Sequence, residues 1–165
     1  MRYVPWALVA LRVFLGFFFL YEAEHQIAGG WLGGDGLERM LRSALDGNAI
    51  PGPYRRFLED VVIEHDALFT ALVIPGEIVV GGALILGIAT RLTALVALSM
   101  NANFLVMNGF VTGGALFDAL FIVLEVVLIA YAGRQAVSVD RVLAARGIAS
   151  WWMSGAVAPR RRQRD

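Results

Sequence analysis

Four stretches of this 165-residue chain are long and apolar enough to cross a bilayer, and they restrict its fold more than any other feature. They run over about 4–27, 67–89, 92–108 and 114–132, each near the ~20 residues that a membrane-spanning helix needs. Isolated strands cannot satisfy their backbone groups in lipid, so helix is the state expected for all four. Charged residues make up 17% of the chain, against about 25% in soluble domains, too few to cover a water-exposed surface. The links Ala89-Thr90-Arg91 and Gly109–Gly113 are short enough to force antiparallel neighbours. The expected fold is all-α: an integral membrane, antiparallel four-helix bundle over residues 1–150. A basic tail over 151–165 is expected to be disordered, with Trp151 and Trp152 as interfacial anchors.

Arginine placement predicts the orientation. Arg2 precedes the first helix, Arg91 lies between the second and third, and seven arginines follow the fourth. By the positive-inside rule both chain ends face the cytoplasm, in a bacterial or archaeal inner membrane. The first apolar run is too long for a signal peptide and leads into Glu22, Glu24 and His25, so it is read as a retained helix.

The long first loop, about 28–66, lies outside the membrane on this reading. Leu37, Met40, Leu41, Ala44 and Leu45 recur at helical spacing, and a second amphipathic stretch begins at Pro53. Both are expected to form a lid on the extracytoplasmic surface, or less simply a binding loop.

Ionisable residues within a span cost about 2.5–3.5 kcal/mol each, so they face the bundle and pair. Arg12, Glu77 and Glu125 are such residues. A 1.5 Å rise per residue places Arg12 and Glu125 roughly 12 Å above the inner surface, with Glu77 roughly 7 Å higher and Asn101 in the same layer. One arginine facing two carboxylates is therefore expected at mid-membrane. It serves either as a polar brace between helices or as the centre of a proton-handling or ligand-binding pocket. A second layer towards the outer face holds Glu22, His25, Asn108 and Asp118, suited to lining a quinone or substrate opening or simply to meeting water. Pro75 is expected to bend the second span beside Glu77. The pairs Ala83/Gly87 and Ala115/Ala119 offer surfaces for close helix contact. With no cysteine and no metal-ligand spacing around His25 or His65, no metal site is expected. No nucleotide-binding or hydrolase motif is present, and no nucleic-acid partner is expected.

The run Glu77-Ile-Val-Val-Gly-Gly-Ala-Leu-Ile-Leu-Gly-Ile-Ala-Thr-Arg91-Leu-Thr-Ala resembles the DoxX/DoxD family. Met100-Asn-Ala-Asn-Phe104 is similar to its DoxD branch, named for the small subunit of thiosulfate:quinone oxidoreductase. Arg12-x-x-x-Gly16 and Ser138-Val-Asp-Arg141-Val-Leu match further family patterns. The resemblance implies a quinone-linked oxidoreductase subunit, with a second subunit as partner and Glu77 and Arg91 as carried-over positions. Arg91 can equally be a topology anchor. On this reading Glu77, Arg12 and Glu125 form the catalytic site, while Glu22, His25, Asn101, Asn108 and Asp118 bind substrate or quinone. The rival readings are a small proton or solute carrier or channel, and a membrane scaffold without catalysis. Homo-oligomers are compatible with all three.

Overall fold

A computed structural model of the chain describes residues 3–110, 113–148 and 153. Trp151, Trp152 and the arginine tail lie outside the described residues. Helix is the dominant state, with no strand among the described residues. The four long helices are α1 (Val4–Ala28), α4 (Asp66–Leu86), α5 (Thr90–Met107) and α6 (Gly113–Tyr131). Between α1 and α4 come α2 (Gly36–Gly47) and α3 (Gly52–Phe57), the latter extended by a wider π-type turn over Leu58–Val62. After α6, a single 3₁₀ turn leads to α7 (Val139–Ala145).

All four expected spans are found, with lengths and hydropathy sufficient to cross a membrane. The chain is a multi-pass membrane protein, and its surface is that of a helical bundle in lipid. Leu116 is 70% exposed and Val79 68%, whereas Glu77 is 1% and Glu125 0%. Apolar side chains face outward and the ionisable ones face inward, the arrangement that a hydrocarbon solvent imposes.

α1 packs against α4, α4 against α5 and α5 against α6, with α1 also touching α6 to close the ring. Glycine sets the tightest approach, between Gly16 of α1 and Gly81 of α4. A Cβ on either would come within 2.7 Å of the other's carbonyl oxygen, so only glycine permits this backbone spacing. Sequence spacing pointed instead to Ala83/Gly87. Gly87, however, ends α4 with φ +71°, and a side chain there would collide with Arg12 and Ser138. The left-handed Gly87 turns the chain after Leu86, which is why α4 stops three residues before the predicted end. α4 runs unbroken through Pro75.

The end of the bundle opposite the chain termini is capped by the expected lid. Leu37, Leu41 and Leu45 of α2 bury against Leu58, Val62 and Met107, while Glu38 and Arg42 pair on the outer face. Asn48 Nδ2 donates to Met107 O at 2.9 Å, tying the lid to the last turn of α5.

Candidate functional site

The residues expected in one mid-membrane layer, Arg12, Glu77, Asn101 and Glu125, fall into two separate layers. In the lid-side layer, Gln26 of α1 donates through Nε2 to Glu77 Oε1 of α4 at 2.8 Å. Asn101 of α5 donates through Nδ2 to Glu125 Oε1 of α6 at 2.6 Å. Each buried carboxyl thus meets an amide, not a guanidinium. The second oxygen of each, Glu77 Oε2 and Glu125 Oε2, is buried without a hydrogen-bond partner, as is Gln26 Oε1.

The other layer lies at the opposite end of the bundle, beside the start of α1 and α7. Arg12 donates to Gln135 Oε1 and, at 3.3 Å, to the carbonyl of Ile85, and sits in the field of Asp140. Among the described residues it forms no ion pair with Glu77 or Glu125. The predicted arginine–dicarboxylate centre is therefore absent, and side-chain direction explains why. With Gly16 opposite Gly81, Arg12 and Glu77 lie four residues from that crossing in opposite senses, about 12 Å apart along the axis. Helical side chains lean towards their own N-terminus. In antiparallel helices that carries Arg12 down and Glu77 up, away from each other. The same lean brings Gln26 and Glu77 together. The i,i+4 spacing of Glu22 and Gln26 was a legible signal for Gln26, which the sequence reading passed over.

Around Arg12, the chain after α6 closes a clasp. Asp140, 0% exposed, accepts from the backbone N–H groups of Ala89 at 2.7 Å and Thr90 at 2.8 Å, so it caps the start of α5 from the far end of the sequence. Its own N–H donates to Gly87 O at 3.0 Å. Ser138 caps α7 by accepting from Arg141 N at 3.1 Å. Arg141 in turn binds the carbonyls of Gln135 and Ala136, and Ala136 N reaches back to Pro5 O. The Thr-Arg91 and Ser138-Val-Asp140-Arg141 patterns thus meet in a structural joint.

Between the layers lies a plug of apolar side chains. Phe19 and Leu15 on α1, Val80 and Leu84 on α4, Ala97 and Ala94 on α5, and Leu128 on α6 are buried in one cluster. On α1 they fall, in sequence, between Arg12 and Glu22 and on α5 between Thr93 and Asn101, while on α4 and α6 they follow Glu77 and Glu125.

Above the plug, a cavity of about 290 Å³ opens among α1, α4, α5 and α6. Phe18, Phe19, Phe104 and Phe117 line it, together with Glu22, Glu77, Asn101, Asn108 and Asp118. Asn108 Nδ2 donates to Asp118 Oδ2 at 2.7 Å, as part of the wall. Of the eight predicted site residues, five therefore share this cavity. Glu125 stands behind Asn101, Arg12 lies beyond the plug, and His25 is exposed with its ring stacked over Tyr21 at 6.1 Å. Arg91, in the first turn of α5, is ten residues or about 15 Å from Asn101. No lysine, arginine or histidine lines the cavity, which offers carboxyl and amide groups set between aromatic faces. Such a site accepts hydrogen bonds and exchanges protons but moves no electrons itself. Among the described residues, no group of His, Asp and Glu converges as a metal site.

A family model described as "TQO small subunit DoxD" matches residues 43–155, more than half the chain. The protein belongs to the DoxD family. The match takes in Glu77, Asn101, Asn108, Asp118 and Glu125 of the DoxD-type bundle, and Asp140 of its clasp. It leaves out α1, so Glu22, Gln26 and Arg12 lie outside the matched residues. No curated protein and no solved structure matches the chain.

Proposed function

We propose that the protein is a quinone-linked oxidoreductase subunit of the membrane, acting with a partner that carries the electrons, and that the lid-side cavity receives the quinone ring. The observation behind this reading is Glu77, which lies in an aromatic-walled cavity with one oxygen held by Gln26 and the other unpaired. An unpaired buried carboxyl oxygen is costly unless a ligand or a proton completes it. Four phenylalanines supply the faces against which a flat ring stacks.

Reduction of a quinone to a quinol takes two electrons and two protons. The chain has no cysteine and no redox group of its own, so the electrons come from the partner. Glu77 is the group placed to pass a proton to a ring oxygen. Asn101 and Asn108 orient the ring, and Glu22 and Asp118 resupply protons at the half-exposed side of the cavity. The arginine distribution supports both chain ends on the cytoplasmic side of a bacterial or archaeal inner membrane, with the cavity towards the outer face.

The carrier or channel reading requires a polar route through the plug of Leu15, Leu84 and Leu128, each 0% exposed. The test is equilibrium binding of a tail-less benzoquinone or naphthoquinone to protein reconstituted in lipid, with any co-purifying partner retained. Glu77→Leu is expected to weaken binding by up to about 10-fold, the equivalent of one neutral hydrogen bond donated by a protonated carboxyl to a ring oxygen. Absence of quinone binding, combined with solute counterflow in the same vesicles, would replace this reading by the carrier.

A further inference from the structure

A second cavity, of about 250 Å³, lies between the lid and the bundle. Its walls include Leu41 and Met40 of α2, Phe57 at the end of α3, Val73 of α4, and Met100 and Met107 of α5. Two polar side chains of its wall, Tyr54 and Asn103, are already partnered. Tyr54 O–H donates to Asn103 Oδ1 at 3.1 Å, and Asn103 Nδ2 donates to Ser99 O at 2.7 Å. A cavity with apolar walls and no unsatisfied polar group stays dry and takes an apolar occupant. Methionines add flexible thioethers that adapt to an irregular chain.

Two relationships say what that occupant is. Phe104 lines both this cavity and the acid-lined one, so the two are neighbours that share one wall residue. Along α4, Val73 of the apolar cavity stands one helical turn from Glu77 of the polar one. Pockets that enclose a whole drug-sized molecule run to about 300–1,000 Å³, so each cavity alone is sized for part of a ligand. Side by side they match a molecule with a polar ring at one end and a hydrocarbon chain at the other.

We infer that the two cavities form one bipartite site, in which the space beneath the lid takes the first isoprenoid units of a prenylated quinone whose ring lies beside Glu77. The inference rests on the function proposed above and adds the path of the tail: under α2 and α3, past a displaced Phe104 ring, rather than outward between the helices into the bilayer. Lipid chains are as apolar as the cavity, so the gain over an unbound tail is packing alone. The expected preference for a prenylated over a tail-less quinone is about 10-fold at equal concentration in the membrane, the yield of well-packed contacts rather than of hydrophobic transfer.

The test uses the full chain in lipid vesicles. A quinone carrying a photoreactive diazirine on its second isoprene unit is cross-linked, and the labelled residues are read by mass spectrometry. A phospholipid carrying the same group on its acyl chain is the parallel arm. Label on Met40, Leu41 or Met107 from the quinone, competed by unlabelled quinone, is expected. Val73→Phe, checked for folding by its melting temperature, is expected to reduce that label and the preference for the prenylated form. Ring binding with label confined to outward residues such as Leu116 and Leu72 would overturn the inference and leave the proposed function intact. Labelling beneath the lid by phospholipid alone would make the cavity a lipid slot and would also overturn it. Failure of the tail-less and prenylated quinones alike to bind would remove the proposed function itself, and this inference with it.

Discussion

Arg12 in the first helix donates its guanidinium to Gln135, 123 residues further along the chain, and not to either buried carboxylate of the bundle. This contact divides the intramembrane polar residues into a load of structural bonds at one end and a cavity at the other. The Asp140 bonds to Ala89 and Thr90 belong to the same structural end, and the apolar plug isolates it from Glu77.

Replacing Arg12 is expected to affect stability and not ring binding. Arg12→Met leaves the Gln135 oxygen and the Ile85 carbonyl unpaired in a buried site, a loss of about 1–3 kcal/mol. Thermal unfolding in detergent should show a lower melting temperature, with quinone affinity within about two-fold of the parent, well under 1 kcal/mol. A folded Arg12→Met protein with ring affinity reduced by an order of magnitude would put Arg12 back into the site.

Asp140 accepts two backbone hydrogen bonds, worth about 0.5–3 kcal/mol each. Asp140→Ala removes both and Asp140→Asn retains a weaker acceptor. The order of melting temperatures expected is parent, then Asn, then Ala. Equal stability of all three would show that the start of α5 needs no cap from the last helix.

The Gly16–Gly81 crossing should tolerate no side chain. Gly16→Ala places a methyl 2.7 Å from the Gly81 carbonyl and from Ile85, so the helices must separate. Overpacking of this kind costs about 1–3 kcal/mol. Gly82→Ala, next in sequence but with nothing within 4 Å of an added Cβ, is the control and should be neutral or slightly stabilising through helix propensity. Matched losses in both variants would refute the close-packing account.

Gln26 and Glu77 should be energetically coupled. Gln26→Leu removes the side-chain hydrogen bond that Glu77 accepts from Gln26, and once Glu77 is Gln the same change should cost less. A double-mutant cycle on ring affinity is expected to give a coupling of about 0.5–3 kcal/mol. A coupling near zero would mean that Gln26 does not hold the carboxyl in place for a ligand.

Lid attachment should weaken only in strong alkali. Burial pushes the Tyr54 phenol above its ordinary value of 10.0. A group whose folded pKa is raised contributes stability that is complete below the unfolded value and is lost as pH rises through the folded one. The Tyr54–Asn103 bond is thus intact at neutral pH and fails above about pH 10, where an unperturbed tyrosine already ionises. Emission from Trp31, which lines the lid cavity, in a variant keeping only that tryptophan should shift at higher pH than free tyrosine titrates. Tyr54→Phe should abolish the shift.

Much of the architecture was legible because it depends on local patterns. Hydropathy located the four spans to within three residues, and helical spacing located the lid helices and the face of α2 that is buried. Five of the eight candidate residues, divided by sequence between a middle and an outer layer, line one cavity, since a polar residue in a span has nowhere to go but inward. Arg12 was misplaced because depth along a helix axis ignores side-chain lean, which in antiparallel helices separates some pairs and joins others. Asp140 lay in a recognised pattern without a legible partner, and Gln135 gave no signal, because their contacts to Ala89, Thr90 and Arg12 are long-range.

The sequence alone therefore determined that this chain lives in a membrane as a lidded four-helix bundle with its charges turned inward, because the cost of exposing polar groups to lipid acts on each segment independently. Only the tertiary structure decided which charges meet. Register at the Gly16–Gly81 crossing and the return of the chain after α6 are long-range matters, and they made Arg12 part of a clasp and left Glu77 in a cavity wall with one buried oxygen unpartnered.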